Sequence, residues 1–138
     1  MGGIDYNIAL SIGKISFALV LLAPLYYLLR KLVTVSISRG INPNIAKRLR
    51  SSMMYARISH TYLGVFIPLC ALYHMYVMWL THDLELKVWL GILLAFSLFY
   101  MVGLGTMLKL QPANVQLRIA HRISALLIVT LAIVHRIA

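Results

Sequence analysis

Acidic residues are almost missing from this chain. Asp5, Asp83 and Glu85 are the only three in 138 residues, against thirteen Lys and Arg, giving a formal net charge of +10. Charged residues of both signs reach only 12%, about half of what a water-soluble domain carries. Cysteine is down to one, Cys70, set in an apolar run. A lone cysteine excludes a disulfide framework and a dithiol redox motif, and it reads as a small buried hydrophobe. The opening MGGIDYN has neither a basic n-region nor a cleavage signal, so the first apolar segment is expected to be retained. A net positive charge can mark a nucleic-acid binder, but here Lys and Arg flank apolar runs instead of forming an arm or a soluble face. The positive-inside rule accounts for them, and no nucleic-acid partner is expected.

What the chain has in abundance is apolar length. Hydrophobic residues make up 62% of it, and its mean hydropathy is +0.88. The expectation is one all-α integral membrane domain over residues 1–138. Four segments, at about 8–33, 53–80, 86–109 and 113–137, are each long enough to span. With alternating direction, the loop at 34–52 and the link near 110–112 share one side. That side holds Arg30, Lys31, Arg39, Lys47, Arg48, Arg50, Arg57, Lys109, Arg118 and Arg122. The other side holds Lys14, Lys87, Arg136 and all three acids. Ten basic residues against three put the 34–52 loop in the cytoplasm and both termini outside. A bacterial or archaeal cytoplasmic membrane is the expected location.

Two of the four segments repeat one another. Arg57 to His74 reads RISHTYLGVFIPLCALYH, and Arg118 to His135 reads RIAHRISALLIVTLAIVH. Each opens Arg-Ile-small-His and places a second histidine 14 positions on. Along a helix, 14 residues advance about 21 Å and return to within about 40° of the starting face. Each stretch is therefore an apolar helix with two imidazoles on one stripe, near opposite edges of a hydrocarbon layer about 30 Å thick. The stripes run His60, Gly64, Ile67, Ala71, His74 and His121, Ala125, Ile128, Ala132, His135. Small residues stand four after the first histidine and three before the second in both copies, where they let a flat group approach the backbone. Placed side by side and parallel, the two helices would pair His60 with His121 on the cytoplasmic side and His74 with His135 on the outer side.

The rest of the chain offers partners for that arrangement. On the third segment Gly91 and Gly105 repeat the 14-residue spacing, and the antiparallel direction brings Gly91 level with His74 and His135, and Gly105 level with His60 and His121. Gly103 reads as a helix-packing residue. Pro24 should kink the first span. Pro68 should bend the second only mildly, because the residue four before it is Gly64. Asn42-Pro43 is a helix start with a capping side chain. Asn44 to Arg50 is expected as a short helix lying on the membrane, Ile45 and Leu49 inward and Lys47, Arg48 and Arg50 toward anionic headgroups. His82 falls off the stripe, in an outer loop, and reads as a surface histidine. Met53, Met54, Met75 and Met78 read as core filler, and Tyr76, Trp79 and Trp89 as an outer interfacial belt.

Ionisable groups within a membrane mark function by default. Zinc prefers four protein ligands, or three with water. Two facing histidines instead supply the two axial positions of a porphyrin iron, and two such pairs make a ligand set for two haems. With both axial positions filled, outer-sphere electron transfer remains and oxygen chemistry does not. Haem propionates would find Arg57, Arg118 and Arg122 beside the inner pair and Arg136 beside the outer one; positive-inside bias alone would also place arginines there. Lys14 either snorkels to the interface or meets an outer propionate.

On His60, His74, His121, His135, Gly91 and Gly105 the chain resembles the di-haem b-type membrane cytochromes, over about residues 8–138. The nearest pattern is the four-helix core of cytochrome b from quinol-oxidising complexes, and ferric reductase and NADPH-oxidase membrane domains share the paired-histidine scheme. The resemblance implies two non-covalent haem b groups on the four histidines, iron as the bound metal, and electron transport across the membrane. It also implies a quinol or cytoplasmic-side donor. The chain departs from the pattern on its first span: only Gly13 stands at a cofactor level, and the matching inner position falls near Tyr27. The sequence carries neither the quinol-site loop and later helices of cytochrome b nor a flavin- or nucleotide-binding domain. It ends three residues past His135, so a separate redox protein or a diffusible acceptor is expected at the outer haem. The competing readings are a quinol, superoxide or metal oxidoreductase acting at a haem edge, and a haem-free assembly subunit or Met/His metal transporter.

Overall fold

A computed structural model describes residues 3–81 and 85–138, with side chains from Tyr6 onward in the first stretch. His82 and Asp83 lie outside the described residues. The described chain is helical throughout: α1 Gly3–Leu22, α2 Leu25–Ser38, α3 Pro43–Thr81, α4 Leu86–Leu110 and α5 Val115–Ile137. Four stretches are long and apolar enough to cross a membrane: Tyr6–Ser38, Pro43–Thr81, Leu86–Leu110 and Val115–Ile137.

Local chemistry sets the boundaries. Pro24 interrupts the first span and does more than kink it, dividing it into α1 and α2. Its ring has no N–H and crowds the carbonyl four residues back, which belongs to the buried, β-branched Val20. Pro68 meets the same problem four residues after Gly64, and α3 runs through it unbroken. Gly40 turns the chain from α2 to α3 with φ +77°, a left-handed conformation that glycine enters without strain. The Asn42 side chain then accepts from Asn44 N–H at 2.9 Å, and Asn114 does the same for Leu117 N–H at 3.1 Å at the start of α5. Both are N-caps.

One expectation is corrected here. Asn44 to Arg50 is helical, but it forms the first turns of the 39-residue α3 and not a separate surface helix. The following Ser51-Ser52-Met53-Met54 contains no glycine or proline to stop propagation. At 1.5 Å per residue α3 is about 58 Å long, nearly twice a hydrocarbon layer. With α2 packed against it, α3 extends well past α4 and α5 at that end.

Packing closes into a ring. α1 packs on α3, α3 on α4, α4 on α5, and α5 back on α1. Among the described residues, α3 and α5 nowhere bring Cα atoms within 8 Å of each other. The two histidine helices therefore stand across the diagonal of the bundle, not side by side as the sequence suggested. α1 and α4 act as spacers that hold them apart.

The centre is small and apolar. Val20, Ile67, Leu98, Ile128 and Ala132 form one buried cluster, with Ala71, Leu63 and Met101 packed against it. Ile67, Ala71, Ile128 and Ala132 are all stripe residues, so the stripes of α3 and α5 face the interior. Outside it, Phe96, Tyr100, Leu126 and Leu127 are exposed. Apolar side chains facing outward in such numbers accord with helices long and apolar enough to cross a membrane.

Candidate functional site

The central cluster separates two levels of histidine. At one end lie Ala9, Gly13, His74, Lys87, Gly91 and His135. At the other lie Tyr26, Tyr27, His60, Gly105, His121 and Arg122. Each level takes one imidazole from α3 and one from α5, all four half-buried.

At the His74/His135 end both rings are tied to backbone. His74 Nδ1 donates to the carbonyl of Ala9 at 2.8 Å, and His135 Nδ1 donates to the carbonyl of Lys87 at 3.1 Å. A carbonyl only accepts, so each bond fixes the proton on Nδ1 and leaves the lone pair of the neutral ring on Nε2. Helical carbonyls normally serve their own helix. Ala9 can serve His74 as well because its oxygen has a second lone pair and its fully buried residue lets α3 come close. Glycines finish the fit. A Cβ on Gly13 would fall 2.6 Å from His74 Cε1, and one on Gly91 would fall 3.1 Å from His135 Cε1. α1 and α4 thus each present a glycine face and a carbonyl to one ring.

The His60/His121 end is built differently. The two ring centroids are 6.5 Å apart with planes at 79°. His60 lies against Tyr26, centroids 5.1 Å apart and planes within 20°. His121 Nδ1 is buried with no hydrogen-bond partner among the described residues. A Cβ on Gly105 would sit 3.7 Å from His121 Cε1, an ordinary contact. Arg122, one residue on, lies over the Tyr27 ring at 4.7 Å, within cation–π range.

The remaining predicted residues divide by position. Gly64 has no protein atom within 4 Å of the place a Cβ would take. Ala125 is half-buried on the stripe. Lys14, Arg57, Arg118 and Arg136 are exposed beside their histidine levels, and Arg118 donates from Nη2 to the carbonyl of Ala113 at 3.2 Å. Cys70 is a free thiol, half-buried. Sequence reasoning missed Tyr26, Ala9 and Lys87. A carbonyl acceptor has no residue signature, and Tyr26 owes its place to the break at Pro24.

Among the described residues no three of His, Cys, Asp and Glu cluster as a metal site would require. The donors come in twos. Compared with protein families, curated proteins and solved structures, the chain matches none, so what the site can do rests on these residues.

Proposed function

We propose that this protein is a di-haem b-type membrane cytochrome that relays electrons across a membrane. The observation that carries the reading is the tied ring. At the His74/His135 end a backbone carbonyl holds each Nδ1 proton and leaves Nε2 bare, the arrangement metal-ligating histidines take. The residues fit a haem in two further ways. Paired donors suit a porphyrin iron, which needs two axial ligands, better than tetrahedral zinc. The His60 and His121 rings, from opposite helices, come within 6.5 Å of each other centroid to centroid, so both could serve one group at that level.

In this reading His60 and His121 hold one iron, and His74 and His135 the other. A haem iron held by two histidines takes up and gives back one electron. The protein's part is to hold the two sites about 21 Å apart along the bundle, with the apolar cluster around Ile67 and Ile128 between them. That cluster keeps water from the space between the levels. Arg57, Arg118 and Arg122 at one end, and Arg136 and Lys14 at the other, would be the cations available to propionates. Positive-inside bias puts the His60/His121 end toward the cytoplasm, both termini outside, with a quinol or cytoplasmic-side donor and a separate redox protein or diffusible acceptor at the outer end.

The test is a visible spectrum and pyridine haemochrome stoichiometry of the purified protein, repeated on His74→Ala and His121→Ala. Two haems per wild-type chain and one in each variant are expected. A colourless wild-type protein would refute the reading.

A further inference from the structure

The two levels orient their ligands by different means. His74 and His135 each have a carbonyl to hold Nδ1. His60 has no such partner among the described residues, so no hydrogen bond fixes its terminal side-chain torsion, which is intrinsically broad. What it has is Tyr26, whose ring lies almost parallel to it at 5.1 Å. We propose that Tyr26 is a positioning residue for His60, setting the plane of that ring where the other level uses a backbone carbonyl. This rests on the di-haem reading and goes a step further, giving a role to a residue on the span where the chain departs from the cytochrome b pattern.

The fold explains why a tyrosine can reach. Pro24 breaks the first span, and α2 restarts at Leu25, so Tyr26 and Tyr27 fall in its first turn. Tyr26 engages His60 of α3, while Tyr27 engages Arg122 of α5, next to His121. One turn of α2 therefore grips both sides of the inner pair. A continuous helix with a small residue here would leave His60 unguided. The stack also fixes what the ring must be: a flat face is needed and the hydroxyl is not, so phenylalanine should serve.

The experiment uses full-length protein in the His74→Ala background, which retains only the His60/His121 pair. Haem affinity is measured by titration with haemin, and the low-spin ferric electron paramagnetic resonance signal reports the relative orientation of the two ligand rings. Tyr26→Phe is expected to leave both unchanged. Tyr26→Ala and Tyr26→Leu are expected to weaken haem binding by about tenfold, as loss of a ligand-orienting partner does, and to shift the resonance signal. Tyr26→Leu keeps apolar volume at the position, so its behaviour separates loss of the ring face from loss of packing. In the His121→Ala background, which keeps the other pair, none of the three should matter. Unchanged affinity and signal in Tyr26→Leu would overturn the proposal, as would tighter binding in Tyr26→Ala, which would make Tyr26 an obstacle to the cofactor. A parent protein that binds no haem would instead refute the di-haem reading itself.

Discussion

His74 Nδ1 lies 2.8 Å from the carbonyl oxygen of Ala9, a bond between α3 and α1 that spans 65 residues of sequence. It exists only because Gly13, one turn further along α1, leaves room for the imidazole. The other two glycines near histidines stand in graded versions of the same relationship.

That gradation predicts an order of sensitivity to added methyl groups. Gly13→Ala puts a Cβ 2.6 Å from the His74 ring, so the ring must swing away and surrender its carbonyl, and in the di-haem reading the outer haem should be lost. Gly91→Ala at 3.1 Å should lower outer occupancy in part, and Gly105→Ala at 3.7 Å should keep both haems. Gly64→Ala meets no protein atom and should leave folding intact while reducing inner occupancy, because the macrocycle is expected beside that stripe position. Haem stoichiometry and circular dichroism on the four variants check the order. Equal tolerance at Gly13 and Gly105 would contradict it.

The Arg122–Tyr27 contact should be measurable without any cofactor. At 4.7 Å on an exposed surface such a pair contributes about 0.5–1 kcal/mol. A double-mutant cycle with Tyr27→Leu and Arg122→Gln, read by unfolding in detergent, should return coupling of that size. Additive single effects would show that the guanidinium acts elsewhere.

The proposed sidedness rests on the charge distribution and is open to thiol labelling. In a Cys70→Ala background, Ser51→Cys should resist a membrane-impermeant reagent in intact cells and react after permeabilisation. Glu85→Cys should react in intact cells. The opposite pattern would invert the orientation and exchange the inner and outer sites.

Much of this arrangement was legible in the sequence because helical periodicity is a strong constraint. Once His60 and His74 stand 14 apart on an apolar helix, Ile67 and Ala71 must share their face, and in the structure that face looks into the core. Gly91 and Gly105 were placed by the same arithmetic on an antiparallel helix. What periodicity does not carry is which neighbour each face meets. The diagonal placement of α3 and α5 depends on how α1 and α4 wedge between them, a property of four helices together. The acceptors on Ala9 and Lys87 are backbone atoms that any residue would offer. Tyr26 was hidden by a phase change: a span read as one helix resumes after Pro24 with a new starting point, and a count from Gly13 lands one residue away, at Tyr27. The short surface helix expected at 44–50 failed for a simpler reason, since a capped start was visible but no stop followed it.

The diagonal has a consequence for how the protein is made. Each level draws one imidazole from α3 and one from α5, and α5 leaves the ribosome after α1 to α4. Neither pair can close until α5 has docked on α1 and α4. During synthesis the four earlier helices wait as an open trough. Chains halted before Val115 should therefore insert yet complete neither pair, so both sites mature together, in a single late step.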